Sequence, residues 1–334
     1  MFTTPLCRSL GIAHPVFCAG IGAAAGAELV AAVSGAGGCG VLGTAGLPGK
    51  FVCEQIRQVK GQTVNPFGVN IVLPLLRKGQ IEACFDERVP IVVFFWGDCA
   101  PYAERARQLG IKVFVQVGSV AEAMRAAEAG ADAVIAQGFE AGGHVKGTTS
   151  LSVLLPAVVD AVRPLPVLAS GGIADGRGLI AALALGGQAI SIGTRFLASR
   201  EANAAAAYKE RVVSATAEDT VHVEHFDVGW PQAAHRVLRN AAVHRLESGE
   251  RLRSGERPGE GGFVGRMSSG GATIDIPAYS AYVAERGAVA DIDEMALYAG
   301  ESCTLIDEIK PAAEIVSDIL RDASETMTRL SSWA

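Results

Sequence analysis

The stretch AERARQLGIKVFVQVGSVAEAMRAAEAGADAVIAQ, Ala103 to Gln137, contains two variants of one unit. Ala103 to Val117 and Glu122 to Gln137 each pass through an Ala-rich helical segment, a glycine (Gly110, Gly130) and a β-branched run. Glycine takes the left-handed conformation that commonly ends a helix, and a short apolar run after it reads as a strand buried on both faces. Parallel strands need a long crossover, usually a helix, so this repeated order predicts successive βα units and a parallel sheet.

Working outward, the same beat gives eight candidate strands: Pro15 to Gly20, Gly38 to Gly43, Phe67 to Val72, Ile91 to Trp96, Ile111 to Val117, Ala133 to Gln137, Val167 to Ser170 and Ala189 to Ile192. Helical patterns lie between them, at Ala27 to Ser34, Pro101 to Leu109, Val120 to Ala129, Leu151 to Val162 and Gly178 to Leu185. Eight units in the first 200 residues fit a closed α/β (β/α)8 TIM barrel better than a doubly wound open sheet. The rhythm breaks after Arg200. Residues 1–200 and 276–334 are therefore expected to form the barrel with its C-terminal helices, and 201–275 a mainly helical insertion or lid. Helices are expected near Glu201 to Arg211 and Gln232 to Arg245, a flexible loop at Ser268-Ser269-Gly270-Gly271, and a last helix from about Ile309 to Leu330.

Hydrophobic residues make up 49% of the 334 and charged residues 19%, which excludes a disordered chain. The net charge of −6 with scattered Lys and Arg offers no footprint for nucleic acid. The start has no secretory pattern and no apolar run is long enough to span a membrane, so the expectation is an untargeted cytoplasmic protein. Seven cysteines without a CxxC pair argue against a zinc ribbon or a complete disulfide framework.

In such a barrel the chemistry sits on loops after the strands, and phosphate is often held after strands seven and eight. Ala169-Ser170-Gly171-Gly172-Ile173 and Ser191-Ile192-Gly193-Thr194-Arg195 fall at those two places. Adjacent glycines let backbone N–H groups approach an anion, and the Thr194 hydroxyl adds a donor. Directly after strand six, Gln137-Gly138-Phe139-Glu140-Ala141-Gly142-Gly143-His144 is expected to fold over a bound planar group and set an imidazole above the barrel mouth.

GFEAGGH ending at His144, ASGGIADGRG from Ala169, GTRFLAS from Gly193, MALYAGES from Met295 and PFGVN from Pro66 together resemble the nitronate monooxygenase family, formerly 2-nitropropane dioxygenases. The resemblance implies a flavin-dependent oxidoreductase with noncovalent FMN, its phosphate at Gly171, Gly172, Gly193 and Thr194. It also implies flavin contacts from Asn70, Gln137 and Gly142, from the backbone of Ala19 and Gly20, and from Gln116. Gly143, Ser170, Ser191 and Ile192 stand beside these in the same motifs, and His144 matches the catalytic histidine. Two departures lie at the barrel mouth: Gly20-Ile21 where the family has a Pro-Met pair, and Phe94-Phe95-Trp96-Gly97 where it has a Phe-His-Phe-Gly-like strand end.

The implied reaction is oxidation of an alkyl nitronate by oxygen to a carbonyl compound and nitrite, with a small organic substrate and dioxygen as partners. His144 would attract the anion as imidazolium or take the α-proton of a neutral nitroalkane. The alternative is an NAD(P)H-dependent reductase of an enone, quinone or enoyl-ACP, since FabK-type reductases share the Gly-Gly-His and Ser-Gly-Gly elements. A flavin-free sugar-phosphate lyase and a flavin store are further alternatives. The sequence leaves a homo-oligomer open. Trp96 and Phe139, with Phe94, are expected to wall a substrate pocket. The spacing His222-x-x-His225 lacks partners for a metal site, so no metal is expected. Lys146 is read as a loop cation, Asp175 and Arg177 as a helix cap, and the cysteines as core residues, with Cys18 and Cys99 as candidates for a thiol-reactivity test.

Overall fold

The computed structural model describes residues 2–247 and 253–333. Eight parallel strands close into a barrel: β1 (Val16–Cys18), β2 (Cys39–Gly43), β3 (Gly68–Val72), β4 (Ile91–Phe95), β5 (Lys112–Val117), β6 (Ala133–Gln137), β8 (Val167–Ser170) and β9 (Ala189–Ile192). Between β6 and β8 lies a two-residue strand, β7 (Gly143–His144), outside the barrel. Closure is by register, Phe17 pairing with Ser191 on one side and with Cys39 on the other. Each sequence-expected strand is present, trimmed by up to two residues at its ends.

The strands read as continuous apolar runs because both of their faces are buried. One face fills the barrel interior, where the rings of Phe17 and Phe114 meet at 6.2 Å beside Val41, Val93 and Ile135. The N-terminal helix α1 (Pro5–Leu10) adds Leu6 and Cys7 to this interior core. The other face meets the outer helices α2 (Ala27–Gly35), α3 (Gly49–Gln62), α4 (Gln80–Asp86), α5 (Ala100–Gln108), α6 (Val120–Glu128), α7 (Leu151–Val162) and α8 (Gly176–Ala184). Asp175 caps α8, accepting from the N–H groups of Arg177 at 2.9 Å and Gly178 at 3.2 Å, the role expected of it. A short α9 (Thr194–Leu197) follows β9, and the last helix, α12 (Ala312–Ser331), buries Ile315, Val316, Ile319 and Ala323 against α2 and α8.

Residues 201–275, read from sequence as mainly helical, mix helices with antiparallel strands; residues 248–252 of that segment lie outside the described ones. It carries α10 (Ala206–Ser214), α11 (Ala241–Glu247), β10 (Thr220–Val223), β11 (His235–Leu238), β12 (Phe263–Ser269) and β13 (Ala272–Pro277). The expected helix at Gln232 to Arg245 is a strand followed by a shorter helix. Its first half pairs instead, β11 lying between β10 and β7 with His235 opposite His144. Ser268 to Gly271 is the end of β12 and a two-residue hairpin turn, both glycines having positive φ as a type I′ turn requires. Strand β14 (Val289–Ala290) joins β12, and Ile276, Ala284, Met295 and Leu297 share one core with Tyr208 and Leu238, so 276–300 packs with the segment before it. Among the described residues no helix is long and apolar enough to cross a membrane.

Candidate active site

The carboxyl ends of the barrel strands open into a cavity of about 1170 Å³ of empty space, part of it open to solvent. Of the sequence-expected residues, Ala19, Gly20, Asn70, Gln116, Gln137, Gly142, Gly143, His144, Ser170, Gly171, Gly172, Ile192, Gly193 and Thr194 line it. Ser191 is buried but does not line it. Trp96 and Phe139 also stay out of the lining. Phe139 lies under the Arg236 guanidinium and against His222, and Phe94 stacks outward on Tyr102 at 5.2 Å. Trp96, with a left-handed φ of 61°, packs edge-on against Trp230 at 5.0 Å. Trp230 itself lines the cavity, so the wall is one ring removed from the one expected.

Gly171 and Gly172 have φ of +105° and +67°, a conformation that side chains rarely adopt, so the chain turns here as only glycine does cheaply. Across the cavity, α9 begins at Thr194, and its first-turn N–H groups lack carbonyls four residues back. Thr194 Oγ1 accepts from Gly300 N at 3.0 Å, which pins the returning chain to the end of β9. The 139–144 loop is pinned on the same side: Glu301 N donates to Glu140 O at 3.1 Å, and Leu151 N donates to the Glu140 carboxylate. Gly142 lies so close to Ala299 and Gly300 that a Cβ there would stand 2.5 Å from the Ala299 carbonyl carbon.

Gln137 Nε2 donates to His144 O at 3.0 Å, and its Oε1 is buried without a hydrogen-bond partner. Asn70 is held by its own Nδ2, which donates to Val93 O at 3.2 Å, and by Thr44 Oγ1, which donates to Asn70 O at 2.6 Å. A buried unsatisfied acceptor costs free energy unless a ligand supplies the donor, and a planar heterocycle with ring N–H groups is such a ligand. The glycine turn, the open first helical turn and this orphaned amide oxygen fit the phosphate and ring system of the flavin that the resemblance implies.

His144 sits under a cage of rings: Trp230 stacked at 4.1 Å, Tyr298 and His235 each at 5.4 Å, and Trp96 edge-on at 6.1 Å. Its Nε2 is buried and has no partner. Burial, and second the neighbouring His235, push its pKa well below the ordinary value, which favours the neutral imidazole. Of the two roles expected of it, attracting an anion as imidazolium and taking the α-proton, these surroundings favour the second, since no charge partner offsets the loss of water around the ring. Among the described residues no Asp, Glu, Lys or Arg lines the cavity. Lys146 pairs instead with Glu122 and lies 6.0 Å from the Trp96 ring centre. Burial raises the thiols of Cys18 and Cys99, the latter to about 11, which removes the thiolate that reactivity needs.

Several lining residues escaped the sequence reading: Tyr208, Trp230, Ala281, Val283, Tyr298 and Ser302, all from the chain after the barrel. The Met295 to Ser302 motif was the one local signal pointing to any of them.

Residues 3–82 and 75–322 match the family model described as nitronate monooxygenase. The chain is 40% identical over 253 residues, 75% of its length and 70% of the relative's, to the (3aS,4S,5R,7aS)-5-hydroxy-7a-methyl-1-oxo-octahydro-1H-indene-4-carboxyl-CoA dehydrogenase of Mycobacterium tuberculosis. FabK from Thermotoga maritima superposes with a TM-score of 0.81 at 32% identity, covering 100% of both chains. A nitroalkane oxidase from Streptomyces ansochromogenes gives a TM-score of 0.77 at 26% identity, covering 97% of this chain and 99% of that one.

Proposed function

The chain belongs to the nitronate monooxygenase family, and from that premise we propose that it is an FMN-dependent oxidoreductase acting on a neutral substrate at a carbon beside an electron-withdrawing group, an acyl thioester being the preferred class. The observation that carries this reading is that, among the described residues, no Asp, Glu, Lys or Arg lines the cavity, while burial pushes the His144 pKa down. The backbone N–H groups at Gly171, Gly172 and Gly193 would receive the cofactor phosphate, but a substrate anion beside the buried His144 ring would lose its water and find no fixed cation, whereas a thioester carbonyl needs only hydrogen-bond donors and apolar walls. The 40% identity to a CoA-thioester dehydrogenase and the full-length likeness to FabK support the same class.

Gly171, Gly172, Gly193 and Thr194 would hold the flavin phosphate, while Asn70, Gln116, Gln137 and the backbone of Ala19 and Gly20 would meet its ring system. When bound, the flavin supplies the two-electron chemistry. The chain's own part is positional and protic. Val72, Leu75, Phe95 and Trp230 exclude water from the reacting carbon, and His144, neutral and free of competing hydrogen bonds at Nε2, takes the proton α to the activating group or returns it in the reverse direction.

A second reading, oxidation of a nitroalkane or its nitronate with oxygen as co-substrate, is supported by the family match over residues 3–322 and by the nitroalkane oxidase fold likeness. Anaerobic mixing of the flavin-loaded protein with NADH, a saturated acyl-CoA or a nitronate separates the readings by which compound bleaches the visible flavin absorbance. Bleaching by the nitronate alone, with no acyl-CoA or enoyl thioester turned over in either direction, would replace the first reading by the second. Extraction of FAD, or of no flavin, would overturn the cofactor.

A further inference from the structure

His235 is fully buried and belongs to neither the cavity lining nor any metal-ligating group among the described residues. The register of β11 on β7 sets it directly opposite His144, and side chains directly opposite on an antiparallel pair share one face. Both of its ring nitrogens are engaged by backbone groups of fixed polarity. Nδ1 lies 2.8 Å from Ala233 O, which can only accept, so Nδ1 carries the hydrogen. The N–H of Phe226 donates to Nε2 at 3.3 Å, so Nε2 keeps its lone pair. Only the neutral Nδ1–H tautomer satisfies both, and a second proton would set two N–H groups against each other.

We propose that His235 is a positioning residue that acts through His144, its locked uncharged ring holding the His144 imidazole in place and in the proton-accepting form. The inference rests on the reading that His144 moves the substrate proton. Burial and the geometry above agree in direction, for His235 is lowered to about 4, chiefly by burial. The other groups around the pair do not supply this control. Tyr298 touches both rings and donates its hydroxyl to Ala281 O at 3.2 Å, and burial holds it in the neutral phenol form. Arg236, next on β11, faces Phe139 and Glu301, and Lys146 is paired with Glu122. From the β10 side His222 directs Nε2 to Val145 O at 3.3 Å, while His225 and Asp227 act electrostatically on His235.

The test combines nitrogen-15 NMR of the histidine rings in the flavin-loaded protein with kcat/KM against pH, for wild type, His235→Asn and His235→Gln. In wild type the His235 signals should report an unprotonated Nε2 from pH 5.5 to 8. In the variants water reaches His144, whose titration should move up toward the ordinary ~6.5, so that activity at pH 5.5 drops about tenfold relative to pH 8 while wild type falls less. A merely structural role would lower activity equally at all pH values and leave the His144 titration unmoved, and that result overturns the proposal. So does a protonated Nε2 on His235 in wild type, which needs no variant to fold. If the His144 titration moves but the pH profile does not, the positioning through His144 stands for the ring and the proton-transfer reading of His144 falls.

Discussion

Replacing Gly142 by alanine tests how the site is assembled. The new Cβ would stand 2.5 Å from the carbonyl carbon of Ala299, against an ordinary carbon separation of ~3.5–4.0 Å, so the 139–144 loop and the 299–301 segment must part by ~1 Å. That displacement takes with it two hydrogen bonds, Glu301 N to Glu140 O at 3.1 Å and Gly300 N to Thr194 Oγ1 at 3.0 Å. At ~1 kcal/mol net for each bond and ~1–3 kcal/mol for overpacking, the variant should lose ~3–5 kcal/mol. For a chain of this size ~2 °C per kcal/mol is a reasonable conversion, giving a fall in Tm of ~6–10 °C. His144 lies two residues further on, and a ~1 Å misplacement there should lower kcat/KM ~100-fold. Differential scanning fluorimetry, flavin fluorescence on dilution and steady-state turnover read the three effects. An alanine variant with unchanged Tm, flavin retention and turnover would show that the two backbones are not pressed together, and the account of the site's roof would fail.

Four further outcomes follow from the structure. His144→Gln should keep its flavin absorbance while kcat/KM falls ~10²–10⁴-fold, as expected for loss of a proton-transfer group. In wild type, because the folded His144 value lies well below ~6.5, kcat/KM should hold level through pH 6 and fall only as acid reaches the lowered value; a limb at 6.5 contradicts the burial argument. Trp230→Ala should shift selectivity toward longer acyl chains by ~10-fold, with Trp96→Ala shifting it less, measured as kcat/KM over a chain-length series. Glu285 is raised from 4.5 to about 7 by burial, so its folded carboxyl contributes stability only while protonated, present below pH 4.5 and lost as pH rises through 7. Glu285→Gln should therefore gain ~1–2 kcal/mol at pH 8 and nothing at pH 4, read by urea unfolding at both pH values.

The barrel was legible because its strands are short, largely apolar runs, most of them followed within two residues by glycine, a local signal that needs no knowledge of partners. The floor of the site was legible for a related reason. Gly171, Gly172, Gly193 and Thr194 sit at strand ends, where position in a βα unit already says which way the backbone faces. The roof was not. His-Arg-Val-Leu at 235–238 becomes a strand by pairing with Thr220–Val223 on one side and with Gly143-His144, far away in sequence, on the other, and no periodicity within Gln232 to Arg245 encodes those meetings. Trp230 reaches the cavity from the connection between β10 and β11, and Tyr298 through a bridge to Val237, both remote from the barrel units, so sequence reasoning gave the wall to Trp96, the aromatic residue nearest in its own unit. The protonation state of His144 was equally out of reach, since it depends on what the imidazole is buried among.

The press of Gly142 against Gly300 also bears on how the molecule matures. A nascent polypeptide that has emerged only as far as β9 possesses all its staves, yet the loop carrying the imidazole still lacks its contacts with Gly300 and Glu301. Competence to hold a cofactor tightly should therefore arrive late, when the returning tail has left the ribosome and settled between Glu140 and Thr194.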